Sequence, residues 1–205
     1  MSALNDGARK LTVLDFDFES RPLWFWWDKP TAIITALSYM LVIGGAPDHD
    51  SLRNEIAPLA TRSAYTDWVQ HVAELLTSAD ILTGHNIDRF DLPLLQAQLM
   101  RTGSAGLPKL ITQDTMRLLK RRDMSVSQES LINYAALHAT CPIGMPIYKH
   151  HLSIPEWEDA SMGWDEKGIL TERPTSDVHG HVHLREVLIE KGYLAAPRVW
   201  YPTPK

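Results

Sequence analysis

An α/β fold is what this sequence predicts, and three observations carry the prediction. Leu11–Phe18 is an apolar run of strand character, and Ile81-Leu82-Thr83 is a second, shorter one. Between them Val69, Val72, Ala73 and Leu76 recur at helical spacing. Strands that alternate with amphipathic helices pack as a central sheet with helices laid on it.

Element by element, the first strand covers Leu11–Phe18, and a second lies within Ala32–Ile43, before the turn-forming Gly44-Gly45-Ala46-Pro47-Asp48. Thr66 is a candidate cap for a helix over Asp67–Thr77. Gly84 ends the short strand Ile81–Thr83. Leu92–Met100 reads as helix, with Pro93 tolerated in its first turn and Gly103 beyond its end. A short strand near Ile111 and a helix over Thr115–Arg121 follow, and Ser127 caps a helix over Gln128–His138. Prolines and glycines punctuate 140–173, which predicts irregular structure with short helices. A last helix is expected from about Leu184 to Lys191, stopped by Gly192.

Composition narrows the class. A chain of 205 residues, 44% apolar and 22% charged, buries a real core in one domain. The expected division is a tail over 1–10 and a single domain over 11–205. One cysteine, Cys141, excludes an intramolecular disulfide framework and a cysteine-rich zinc site. No apolar signal core opens the chain, and no apolar run is long enough to span a bilayer, so a cytoplasmic protein without membrane contact is expected. The net charge of −5 argues against a broad basic face for nucleic acid. Arg117, Lys120, Arg121 and Arg122 form the one dense basic run, either a solvated helix end or a local phosphate contact.

The acidic residues carry the chemistry. Side chains alternate across a strand, so Asp15, Asp17 and Glu19 share one face. Carboxylates so close repel unless a cation lies among them. Hard oxygen donors suit Mg²⁺ or Mn²⁺ better than zinc. About seventy residues on stands Gly84-His85-Asn86-Ile87-Asp88-Arg89-Phe90-Asp91. Singly, Asn86 would be a turn residue and Asp91 a helix cap.

Together these motifs resemble the DnaQ-like 3′-5′ exonucleases, a group that includes proofreading domains. Their Asp-x-Glu is matched by Asp17 and Glu19, and their Asn-x-x-x-Phe-Asp by Asn86, Phe90 and Asp91. The third family motif pairs an Asp with a Tyr four residues before it or a His five before it. Here it resembles His181-Val182-His183-Leu184-Arg185-Glu186, with Glu in place of Asp. The resemblance spans roughly residues 11–192. It implies an RNase H-like fold, a central mixed sheet with helices on both faces.

It further implies two divalent ions, Mg²⁺ or Mn²⁺, held by Asp17, Glu19, Asp91 and Glu186, with His181 as general base. Phe18, Asn86 and Phe90 would bind substrate, with Phe18 packing near the terminal nucleotide as well as in the core. The implied reaction is two-metal hydrolysis that releases nucleoside 5′-monophosphates from the 3′ end of single-stranded DNA or RNA. Residues five apart on an unbroken helix lie about 140° apart, so pairing His181 with Glu186 requires a break at Gly180. Asp177 competes with Glu186 for the acid role, and His179 and His183 compete with His181 for the base.

Aromatics offer stacking surfaces: Trp24, Phe25, Trp26 and Trp27 after the first motif, and Trp157 and Trp164 farther on. Packing in the core or against another copy is their alternative role. Proofreading would need a separate polymerase partner, and a homo-oligomer is equally open. The rival function is a nuclease-derived module that holds nucleic acid or nucleotide without cutting it.

Overall fold

The computed structural model describes residues 9–23, 31–118, 125–138 and 170–202. Its chain order is β1 (Thr12–Leu23), β2 (Thr31–Ile43), β3 (Ala46–Ile56), α1 (Arg62–Ser78), β4 (Ile81–Gly84), α2 (Asp91–Thr102) and β5 (Leu110–Asp114). After these come α3 (Gln128–His138), α4 (Glu172–Glu190) and β6 (Arg198–Trp200). The strands form one mixed sheet in the order β3-β2-β1-β4-β5-β6. β1 runs antiparallel to β2 and parallel to β4, β4 runs parallel to β5, and the edges β3 and β6 are antiparallel to their neighbours. This is the α/β architecture expected, and it is consistent with an RNase H-like fold.

The period-2 pattern of β1 divides the molecule. Leu14, Phe16 and Phe18 enter a core with Tyr65, Val69, Val72 and Leu76 of α1 and Leu92, Leu95 and Leu99 of α2. Val13, with Met40, Val42 and Ile81, packs on Val178 and Val182 of α4. A third cluster joins Leu131 and Ile132 of α3 to Leu184, Val187 and Leu188 of α4. Helices therefore cover both faces, and the acidic alternate positions of β1 look toward α4.

Several boundaries differ from expectation. The turn at Gly44 and Gly45, with φ of +62° and +88°, is followed by a full strand, β3, that its polar sequence concealed. Thr61 rather than Thr66 caps α1, accepting from the Ala64 amide at 3.1 Å, while Thr66 bonds back to the Arg62 carbonyl. Residues 115–118 form a turn and a bridge from Leu118 to Leu194, not the start of a helix. Ser127 does cap α3, accepting from the Ser130 amide.

The largest change is α4, which begins at Glu172 and passes through Gly180 unbroken. A Cβ on Gly180 would stand 3.1 Å from Ile132 Cδ1, so this glycine serves the close approach of α3 rather than a break. Among the described residues no helix is long and apolar enough to cross a membrane. The aromatic runs at 24–27 and at Trp157 and Trp164, and the basic residues 120–122, lie outside the described residues.

Candidate active site

Two periods of nearly equal length bring the site together. Alternate residues of a strand are about 6.6 Å apart, and every fourth residue of a helix about 6.0 Å. Asp15, Asp17 and Glu19 of β1 therefore meet His181, Asp177 and Arg173 of α4 in matching order. Asp15 Oδ1 lies 3.1 Å from His181 Nδ1, and Glu19 Oε1 lies 3.4 Å from Arg173 Nη2. Between these pairs Asp17, Glu19 and Asp177 each offer an oxygen within 4.8 Å of the others.

The open end of β1 shapes this cluster. β1 pairs with β4 only through Asp15, which leaves the β4-side edge of residues 16–19 clear of strand. A register shift between Glu19 and Ser20 skips Thr35, whose hydroxyl then donates to the Glu19 carbonyl at 3.1 Å. Bulges of this kind re-aim side chains. Asp91, the first residue of α2, comes to the same edge and accepts a hydrogen bond from the Phe18 amide.

Burial dominates the state of Asp91. It raises the carboxyl to about 7, with the Asp114 charge adding to the rise, against hydrogen bonds from the Phe18 and Asp91 amides and the attraction of His181. Such a group loses its proton readily to the field of a nearby cation. Three carboxylates around one point suit a hard divalent ion, whose ligand oxygens stand about 2.1 Å from it. Arg173, itself buried, already brings positive charge there, with its Nε 3.8 Å from Asp177 Oδ2.

His181 is engaged on both ring nitrogens. It is buried, with Nδ1 on Asp15 and Nε2 2.9 Å from the Thr115 hydroxyl. Burial pushes its pKa down, but the charge and hydrogen bond of Asp15, with Asp114 and Asp177, outweigh burial and raise it. Glu186 does not join the acids. It is exposed and pairs with His183 Nδ1 at 3.4 Å. The cause is the unbroken helix: from Asp177, nine residues turn a side chain to a different bearing and carry it about 13.5 Å along the axis. Of the two acids that the resemblance leaves in competition, Asp177 is the one that stands in the cluster.

The second motif builds the neighbouring loop. Gly84 is required because a Cβ would strike the Phe16 carbonyl and the Ile87 side chain. Asn86 adopts φ of +65°, and its amide donates to Asp114 Oδ1 at 2.8 Å, while the Asp88 and Met116 amides also donate to Asp114. Asp114 is thus the organiser of the loop, and nothing in its sequence surroundings singled it out. Asn86, Arg89, Arg117 and Arg198 share a cleft of about 440 Å³ with Asp88 and Asp114. Phe90 is 46% exposed, whereas Phe18 is buried edge-on to Phe16 in the core.

No protein-family profile matches the sequence, and no curated protein sequence matches it. The fold does have solved counterparts. One is the family B DNA polymerase of the hyperthermophilic archaeon Pyrobaculum calidifontis, matched with a TM-score of 0.57 at 15% identity over 87% of this chain. This chain spans 24% of that polymerase, so the likeness is to a part of it and concerns the fold.

Proposed function

We propose that this chain is a metal-dependent 3′-5′ exonuclease acting on single-stranded DNA or RNA ends. The observation that carries the reading is the convergence of Asp17, Glu19 and Asp177 within 4.8 Å on an RNase H-like sheet. Asp91, bonded to the amide between the two β1 acids, is the fourth carboxylate of this reading, beside rather than within the group of three. The partial match to a DNA polymerase supports the same reading, since proofreading domains belong to the family the motifs resemble.

Mg²⁺ or Mn²⁺ held by these carboxylates would polarise the phosphate, activate water and stabilise the leaving 3′ oxygen. The chain's own work is binding and positioning. Asp17, Glu19 and Asp177 gather charge at the open end of β1, and Asp91 locks that end through the Phe18 amide. Arg89 and Arg117, beside Asn86, offer phosphate contacts in the cleft. Phe90 presents an exposed ring for a terminal base. His181, buried and doubly bonded, holds α4 to β1 and takes no proton from water.

The test is release of mononucleotide from a 3′-labelled oligonucleotide with Mn²⁺. Asp17→Asn and Asp177→Asn should each lose activity about 10³-fold, and Glu186→Gln should keep it. Full activity in Asp17→Asn and Asp177→Asn would remove the assigned site. Arg173 favours a second reading, a module that binds nucleic acid without cutting, because the protein supplies its own cation between Glu19 and Asp177. Oligonucleotide binding with no mononucleotide released under Mg²⁺ or Mn²⁺ would select it.

A further inference from the structure

Three histidines gather where the exonuclease reading has no use for them. His179 and His183 lie one turn apart on α4, their ring centroids 5.0 Å apart. His49, from the edge strand β3, stands 5.4 Å from His179 and 6.0 Å from His183. Two residues along a helix rotate by about 200°, so these rings face away from Asp177 and His181, on the other side of α4. Two elements distant in sequence thus deliver three imidazoles to one point.

The ring centroids stand near the spacing of imidazoles around a single ion. With Zn–N bonds of about 2.0–2.1 Å, the centroid of a ligating ring stands about 3.2 Å from the ion, and two rings at the tetrahedral angle are about 5 Å apart. The centroid separations lie near that value, while the ring nitrogens are not gathered within 4.8 Å as the three carboxylate oxygens are, so the rings must turn to ligate one ion. Glu186 adds the usual companion of such a ligand. Its carboxylate, 3.4 Å from His183 Nδ1, orients the ring and leaves Nε2 for the ion. Mutual repulsion would otherwise discourage three imidazoles from sharing a place, since each that protonates opposes the next.

We infer that His49, His179 and His183 form a binding site for a borderline transition-metal ion such as Zn²⁺, separate from the carboxylate cluster. Imidazole nitrogen is the donor such ions prefer, whereas Mg²⁺ and Mn²⁺ prefer the oxygens on the other side of the helix. An ion there clamps α4 to the sheet edge. It thereby stiffens the helix that carries Arg173 and Asp177, without itself touching substrate.

The test uses the full chain without an affinity tag and Zn²⁺ alone, titrated against a chromophoric chelator, with X-ray absorption at the zinc edge. One Zn²⁺ with imidazole nitrogen neighbours is expected, and it should persist in the Asp17→Asn, Asp177→Asn double variant. His183→Gln should weaken binding about 100-fold or more. His49→Gln, on an exposed strand position, removes a ligand without disturbing the helix and should abolish the rise in melting temperature that Zn²⁺ gives the unaltered chain. Unchanged affinity in both histidine variants, or loss of binding in the double aspartate variant, would overturn the site. Neither result bears on nuclease activity with Mn²⁺, so the two readings fail separately.

Discussion

Asp15 and Asp17 stand two residues apart on the same face of the same strand, yet the structure gives them opposite circumstances. Asp15 is fully buried, with one oxygen on His181, the other without a hydrogen-bond partner, and β4 closing the strand beside it. Asp17 is only half-buried, one step past the end of β4, grouped with Glu19 and Asp177. One pair turn of β-strand thus separates a carboxylate that holds the fold from one that can take a ligand. What differs is the neighbouring strand, not the residue.

Breaking the buried member should have the largest effect on stability. Asp15→Ala leaves His181 without its counter-charge in the interior, and removal of one partner of a buried pair costs about 3–5 kcal/mol. Urea unfolding of chelator-treated protein should show that loss, while Asp17→Asn stays near the parent. Equal losses would dissolve the contrast.

The next effect is pH dependence of the metal-free protein. Asp91, raised from 3.8 to about 7, keeps in the folded state a proton that the unfolded chain has released. Its contribution, on the order of 4 kcal/mol at most, is present below about pH 4 and fades as pH rises to about 7. His181, raised above 6.5, adds stability below that value that is lost as pH climbs through its folded pKa. Both act in one direction, so the urea midpoint should fall between pH 5 and pH 8. Asp91→Asn should flatten the acidic part of that fall. A midpoint that rises over this range would refute the assignment.

The smallest effect sharpens the open end. Arg173→Gln removes the fixed cation beside Glu19 and Asp177, so Mn²⁺ should bind about tenfold tighter by calorimetry. The metal-free variant should melt lower than the parent and regain the difference when Mn²⁺ is added. Weaker Mn²⁺ binding would mean that the guanidinium helps to hold the site rather than competing for it.

The sequence spoke clearly where apolar periodicity and local chemistry agree. β1, β4, α2 and α3 were legible because their buried faces are apolar or their ends carry Gly103 and Ser127. β3 and β6 were not, since an edge strand exposes much of its surface and needs little apolar pattern. α4 was missed over its first twelve residues for a different reason. Its inward stripe is Arg173, Asp177, His181 and Arg185, a polar ladder at helical spacing that faces a polar strip of sheet. A search for four-residue spacing of charged residues, rather than apolar ones, would have found it. The same ladder would have ranked Asp177 above Glu186.

Sequence alone determined the α/β class, the Asp17-x-Glu19 pair on one strand face and the Gly84–Asp91 loop, because each depends on residues a few positions apart. Tertiary structure decided which carboxylate stands beside them, that His181 is bonded to Asp15 and Thr115, and that Asp114 orders the loop. Those outcomes depend on where an unbroken helix lies against β1. The register of that contact follows from the near equality of two strand steps and one helix turn, which no single segment contains.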